Sequence, residues 1–109
     1  MIVVNKEEVK EENGHCGLIR RLTNSGPARI VHLLVKDAQR HLHKATTEYY
    51  YILNGSGQLF LDNDVIELRK GDLVKIEPGV VHQAMEKENE ELEILVIEIP
   101  PAIDDVYID

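Results

Sequence analysis

The sequence predicts an all-β fold, a β-sandwich or small barrel, and three observations carry that prediction. Eight or so short runs, among them "ARIVHLLVK", "EYYYIL", "QLFLD" and "LEILVIEI", are rich in β-branched and aromatic residues. Clusters of Gly, Pro, Asn and Ser, such as "TNSGP", "NGSG" and "EPGV", separate them at short intervals. Only one stretch, close to the N-terminus, carries a helical pattern. So many strands need closure or sandwiching to hide their edges.

In chain order, "NKEEVKEENG" predicts a brief surface helix, with Asn5 as N-cap, Glu8 at the capping-box position and Gly14 just past the end. Its one apolar side chain, Val9, leaves it nothing to bury. "GLIRRL" and "ARIVHLLVK" read as strands joined by the loop "TNSGP". "EYYYIL" and "QLFLD" flank "NGSG", which predicts a hairpin. "VIELR", "LVKI" and "HQAM" follow, split by "KGD" and "EPGV". "LEILVIEI" is apolar on both faces, as a strand covered on both sides would be. The tail "PPAIDDVYID", residues 100–109, starts with two prolines that cannot join a ladder, and is expected to leave the sheet as an extended arm.

The 109 residues are about one domain's worth, and 43% apolar with 29% charged residues is the composition of a soluble globular chain. A single domain over residues 1–109 is expected. The formal charge of −8 argues against nucleic acid, and the basic doublet Arg20–Arg21 lies in a strand-like run whose successive side chains diverge. No run approaches the roughly 18 apolar residues of a membrane span, and the opening "MIVVNKEE" is too short for a signal peptide, so a cytoplasmic protein is expected. Cys16 is the single cysteine, which excludes an intrachain disulfide. Beside it, His15 should point to the opposite face of an extended segment, which reads Cys16 as a bystander thiol. "EKENEELE" reads as a solvated loop or strand end.

The chemistry concentrates in "HLHKATTEYYYILNG". Residues two apart in a strand project from one face, so His41 and His43 can aim their imidazoles at one point while Leu42 faces away. Glu48 lies seven residues from His41 and five from His43, and shares their face only if "KATT" makes a bend that resets the alternation. A carboxylate there completes a two-His, one-carboxylate set of the kind that leaves positions open on a divalent metal. "GDLVKIEPGVVH" then carries the chain out of a strand, through a turn at Pro78–Gly79, to a third imidazole at His82. His15 and His32 lack such company, and His32, in "IVHLLV", reads as a satisfied strand histidine.

Two spacings, His41-x-His43-x4-Glu48-x6-Gly55 and Gly71-x6-Pro78-Gly79-x2-His82, resemble the first and second motifs of the cupin superfamily. They fall at about residues 35–55 and 71–86, and the 15 residues between them, Ser56 to Lys70, are similar to those of small single-domain cupins. Three positions depart from the motifs: Val35 and Glu86 replace the usual glycine and asparagine, and Glu77 replaces the first proline of Pro-Pro-Gly. None of them removes a ligand.

The resemblance implies a double-stranded β-helix, the small jelly-roll barrel, with one divalent metal ion per chain held by His41, His43, Glu48 and His82. Iron, manganese, zinc, nickel and cobalt all suit that donor set. Gly55 and Gly71 would mark turns. Tyr50, Gln58 and Gln83 are the candidates for orienting the imidazoles by hydrogen bonding, and Arg29, Arg40 and Arg69 read as scattered surface residues. The implied function is a metalloenzyme acting on a small oxygenated molecule, of dioxygenase, isomerase or decarboxylase type. The alternative is a cupin that binds or senses a small ligand without turnover. With Glu48, Tyr50 and Ile52 facing in, Tyr49, Tyr51 and Leu53 form an apolar outward row, which predicts a homodimer assisted by the "MIVV" strand or the C-terminal arm.

Overall fold

The computed structural model describes all of residues 1–109, and its strands divide between two antiparallel sheets. The strands are β1 (Glu12–Gly14), β2 (Gly17–Thr23), β3 (Arg29–Val35), β4 (His41–Leu42), β5 (Thr47–Asn54), β6 (Ser56–Leu61), β7 (Asp64–Arg69), β8 (Leu73–Ile76), β9 (His82–Glu86), β10 (Glu93–Ile99) and β11 (Tyr107–Ile108). One sheet runs β1-β2-β3-β10-β5-β8 and the other β11-β4-β9-β6-β7. Their inner faces close on each other in the expected jelly roll.

Strand alternation builds the core. In the larger sheet, register places Leu33 opposite Ile94 and Ile94 opposite Ile52, and the next inward row is Val31, Val96 and Tyr50. Leu59 and Ala84, paired across β6 and β9, meet this layer from the smaller sheet. Ile52, Leu59, Leu92 and Ile94 are fully buried, each a gain of roughly 1.5–3 kcal/mol over exposure.

The helix expected near the N-terminus is a single 3-10 turn at Lys6–Glu8. Asn5 does cap it, accepting from Glu7 N at 2.9 Å, but with one apolar side chain the segment has no face to bury. Residues 12–14 instead gain a ladder with β2, where Gly14 pairs with Gly17. The "MIVV" segment forms no strand, and Met1, Ile2 and Val3 are exposed.

The hairpin expected at "NGSG" is a corner between sheets. β5 pairs with β10 and β8, whereas β6 pairs with β7 and β9, so the chain changes sheet across Gly55 alone. Gly55 has φ +79°, and a Cβ there would strike the Glu91 carbonyl. Glycine thus serves the turn and the close approach together. A true two-residue hairpin turn joins β6 to β7 at Asp62–Asn63.

β10 sits centrally between β3 and β5, but its outer face, Leu95 and Ile97, is half-buried rather than covered. The tail leaves the larger sheet at Pro100, as the prolines dictate, but then folds back. Ala102 and Asp105 are buried, and Tyr107 and Ile108 pair with Leu42 and His41. It is a strap across the segment that begins at His41 rather than a free arm.

Candidate metal centre

Four side chains from three parts of the chain meet between the sheets. His41 on β4 and His82 on β9 are direct cross-strand partners, with ring centroids 4.2 Å apart. His43 follows β4 on the same face as His41, and a bend over Lys44 to Thr46 resets the alternation so that Glu48 points inward from β5 in the opposite sheet. All four residues are buried, and their donor atoms lie within 4.8 Å of one another.

Asp105 holds the bend. Its carboxylate accepts from three consecutive amides, Lys44 N at 2.8 Å, Ala45 N at 2.9 Å and Thr46 N at 3.1 Å. Burial would raise the Asp105 carboxyl, but these donors outweigh it and hold it below the usual range. Thr46 adds a bond from its Oγ1 to the Pro100 carbonyl at 2.9 Å.

Backbone carbonyls orient all three imidazoles. Nδ1 of His41 lies 2.9 Å from Gln39 O, that of His43 2.6 Å from Asp105 O, and that of His82 2.9 Å from Val80 O. A carbonyl can only accept, so each Nδ1 carries a proton and each ring turns its Nε2 inward. Tyr50, Gln58 and Gln83 do not perform this task. Tyr50 is buried in the inward row with its ring 6.0 Å from that of His82. Gln58 faces outward to Glu67 Oε1 at 2.9 Å, and Gln83 donates to Ala38 O at 2.8 Å, because both have outward parity on β6 and β9.

The inward atoms lack partners. His43 Nε2 and His82 Nε2 approach Glu48 Oε1 to 2.8 and 2.9 Å, yet none of the three buried atoms has a partner in hydrogen-bond geometry. Buried polar atoms are rarely left so, and nitrogen and oxygen donors converging on one point fit a divalent cation. Burial would raise the Glu48 carboxyl, but the His43 and His82 imidazoles hold it down at about 2, so it is an anionic oxygen donor. Burial, then His82, lowers His41 to about 3 and keeps it neutral. Burial also lowers His43, but Glu48 outweighs this and raises it.

His15 and Cys16 join this neighbourhood, contrary to the expectation that they stand apart. They form the two-residue turn between β1 and β2, so both reach His41 instead of diverging as strand neighbours would. His15 Nε2 lies 3.3 Å from His41 Nε2, and Cys16 Sγ 3.9 Å from His41 Nδ1. Burial, then the carboxylates of Glu48 and Glu98, pushes the Cys16 thiol up to about 12. His32 is satisfied by Glu93, at 2.9 Å across β3 and β10.

The centre opens into a cavity of about 230 Å³ whose walls include His15, His41, Glu48 and Tyr50. Arg29 lines it, with inward parity on β3, together with Arg21 of β2, so the reading of Arg29 as a surface residue does not hold. Arg40 lies over the Phe60 ring at 3.7 Å, and Arg69 is solvent-exposed.

Residues 30–98 match the cupin domain family. The chain belongs to the cupin family. This cupin is 41% identical over 61 residues to an uncharacterized Methanocaldococcus jannaschii protein, a match over 56% of this chain and about half, 49%, of that relative's length. Among solved structures it resembles a Planctomyces limnophilus protein with TM-score 0.86 and 21% identity, covering 98% of this chain and 96% of the other. It also resembles the polyketide cyclase RemF from Streptomyces resistomycificus, with TM-score 0.82 and 21% identity over 99% of this chain and 84% of the other. The nucleoside dehydratase Pac13, from Streptomyces, shares the fold with TM-score 0.79 and 18% identity over 100% of this chain and 94% of its own. At these identities the likeness is one of fold. No helix is long and apolar enough to cross a membrane.

Proposed function

We propose that this cupin is a metalloenzyme that acts on a small oxygenated molecule in the cavity beside His41 and Glu48. The observation that carries the reading is the set of buried, unpartnered atoms, His43 Nε2, His82 Nε2 and Glu48 Oε1, beside a third carbonyl-anchored imidazole at His41. His41, His43, Glu48 and His82 would hold one divalent ion. Bound there, the ion would act as a Lewis acid toward a substrate oxygen.

The chain's own residues divide the remaining work. Gln39, Val80 and Asp105 fix the imidazoles through their carbonyls, so no ring has to rotate when the ion binds. Glu48 supplies the single negative charge of the donor set. Tyr50, Val31, Leu33 and Val96 give one wall of the cavity apolar surface, which lowers the local dielectric and strengthens electrostatic contacts made against it. Dioxygenase, isomerase and decarboxylase chemistry are all compatible with this frame.

The test is elemental analysis of untagged protein prepared without chelator, beside a His41→Ala/His82→Ala variant. About one metal per chain, absent from the folded variant, is the expected result. Its identity selects the assay, with iron directing it to oxygen consumption and manganese or zinc to isomerase and decarboxylase substrates. Failure of the parent to take up any metal on reconstitution would leave a cupin that binds small ligands without metal chemistry.

A further inference from the structure

The inner face of the larger sheet carries a polar row at one end. Register sets Arg29 of β3 opposite Glu98 of β10, and Glu98 opposite Glu48 of β5. All three have inward parity, each one step beyond the apolar row of Val31, Val96 and Tyr50. Arg21, on β2 opposite Val31, completes the cavity wall. A guanidinium, a carboxylate and a metal-centre carboxylate thus lie side by side across three adjacent strands.

Within this row Arg29 is underused. Its Nε is buried with no hydrogen-bond partner, and its approach to Glu98 Oε1 is 3.5 Å. Glu98 is also engaged by Ala102 N at 3.3 Å, so its carboxylate does not close a two-pronged pair with the guanidinium. Arg21 reaches only Glu12, at 3.7 Å, where both side chains are about half exposed. A partly buried guanidinium without a full set of acceptors is costly in a protein interior, and the cost is recovered when an anion arrives.

The charges of the lining agree. The two guanidinium groups, of Arg21 and Arg29, balance the two carboxylates, of Glu48 and Glu98. A divalent cation at the four-residue centre would then leave the cavity lining net positive, which favours an anion there.

We propose that this cavity binds a small organic carboxylate, its carboxylate group held by Arg29 with Arg21 at the mouth and the rest of the molecule extending toward the metal centre. The substrate class of the proposed enzyme is therefore a small organic acid, an assignment that rests on the metal reading for its catalytic meaning but not for its binding site. The cavity of about 230 Å³ suits an acid of a few carbons.

Calorimetric titration with malonate tests the assignment, using 1,3-propanediol as the neutral analogue and inorganic phosphate as an anion of different shape. Malonate is expected to bind the zinc-loaded protein at millimolar or lower concentration, and the diol not at all. Arg29→Gln should weaken malonate by at least tenfold, Arg21→Gln by less, and Arg29→Lys should fall between parent and Arg29→Gln because an ammonium keeps the charge but not the planar fork. Near-UV circular dichroism confirms that each variant is folded, and Arg29→Lys and Arg21→Gln carry the test if Arg29→Gln is not. Phosphate binding as tightly as malonate, the diol binding equally, no malonate binding to the parent, or unchanged malonate affinity in the arginine variants would each overturn the proposal. The two readings separate cleanly. Full metal loading with arginine-independent malonate binding sinks this proposal alone, whereas arginine-dependent binding in a protein that takes no metal sinks the metalloenzyme reading alone.

Discussion

Replacing Asp105 with alanine removes the acceptor for three consecutive amides, those of Lys44, Ala45 and Thr46, in the bend that turns Glu48 toward the histidines. Lys44 and Ala45 are exposed and their amides can turn to water, so each bond lost there costs about 0.5–1 kcal/mol. Thr46 is buried, and its stranded N–H adds about 1–3 kcal/mol. The expected loss is about 2–5 kcal/mol, seen as a fall in Tm of roughly 10–25 °C for a domain of this size. Asp105→Asn keeps an oxygen acceptor without the charge and should lose about half as much. Because folding depresses the Asp105 pKa, its stabilisation is complete above the unfolded value of about 3.9 and disappears as pH falls through the lower folded value. Urea denaturation of parent and variant at neutral and strongly acidic pH measures both effects, and metal titration should show affinity weakened about 10–100-fold as His43 loses its fixed carbonyl. A loss under about 0.5 kcal/mol at neutral pH, or a difference undiminished in strong acid, would refute the role of Asp105 as a latch.

Gly55→Ala should destabilise by about 3 kcal/mol or more in the same denaturation assay, since a positive φ and a collision with the Glu91 carbonyl act together. Cys16, buried with its thiol pushed up to about 12, should react with iodoacetamide at pH 8 at least about a hundredfold more slowly in the folded protein than in the urea-unfolded chain. The outer face of β5, β10 and β8 joins Tyr49, Tyr51, Leu95, Ile97 and Leu73, with Tyr51 42% and Leu73 62% exposed. Light scattering should therefore give a dimer mass at micromolar concentration and a monomer for Tyr51→Glu, and a monomeric parent would dismiss that interface.

Much of the candidate site is legible in the sequence. Alternation alone put His41 and His43 on one face and required a bend before Glu48, and both conditions hold. Gly55 and Gly71 have the positive φ expected of them. The hairpin reading of "NGSG" failed because a glycine turn has the same local chemistry whether the next strand returns beside the last or crosses to another sheet. The free-arm reading of the tail failed because prolines end a strand without saying where the chain goes next.

The chain carries its periodic part along its length: strand parity, turn positions, and three donors, His41, His43 and Glu48, spaced closely enough for local geometry to align them. Which distant groups meet, His82 with His41 among them, depends on how the sheets pair and close. The imidazoles are oriented by carbonyls of Gln39, Val80 and Asp105, and a carbonyl is the same group in every residue, so no side chain announces it. Asp105 reaches its amides across about 60 residues, and the row Arg29–Glu98–Glu48 exists because register aligns three strands far apart in sequence. Periodicity is a local property that the chain carries along its length, whereas register and carbonyl placement arise only when the sheets close on a common core.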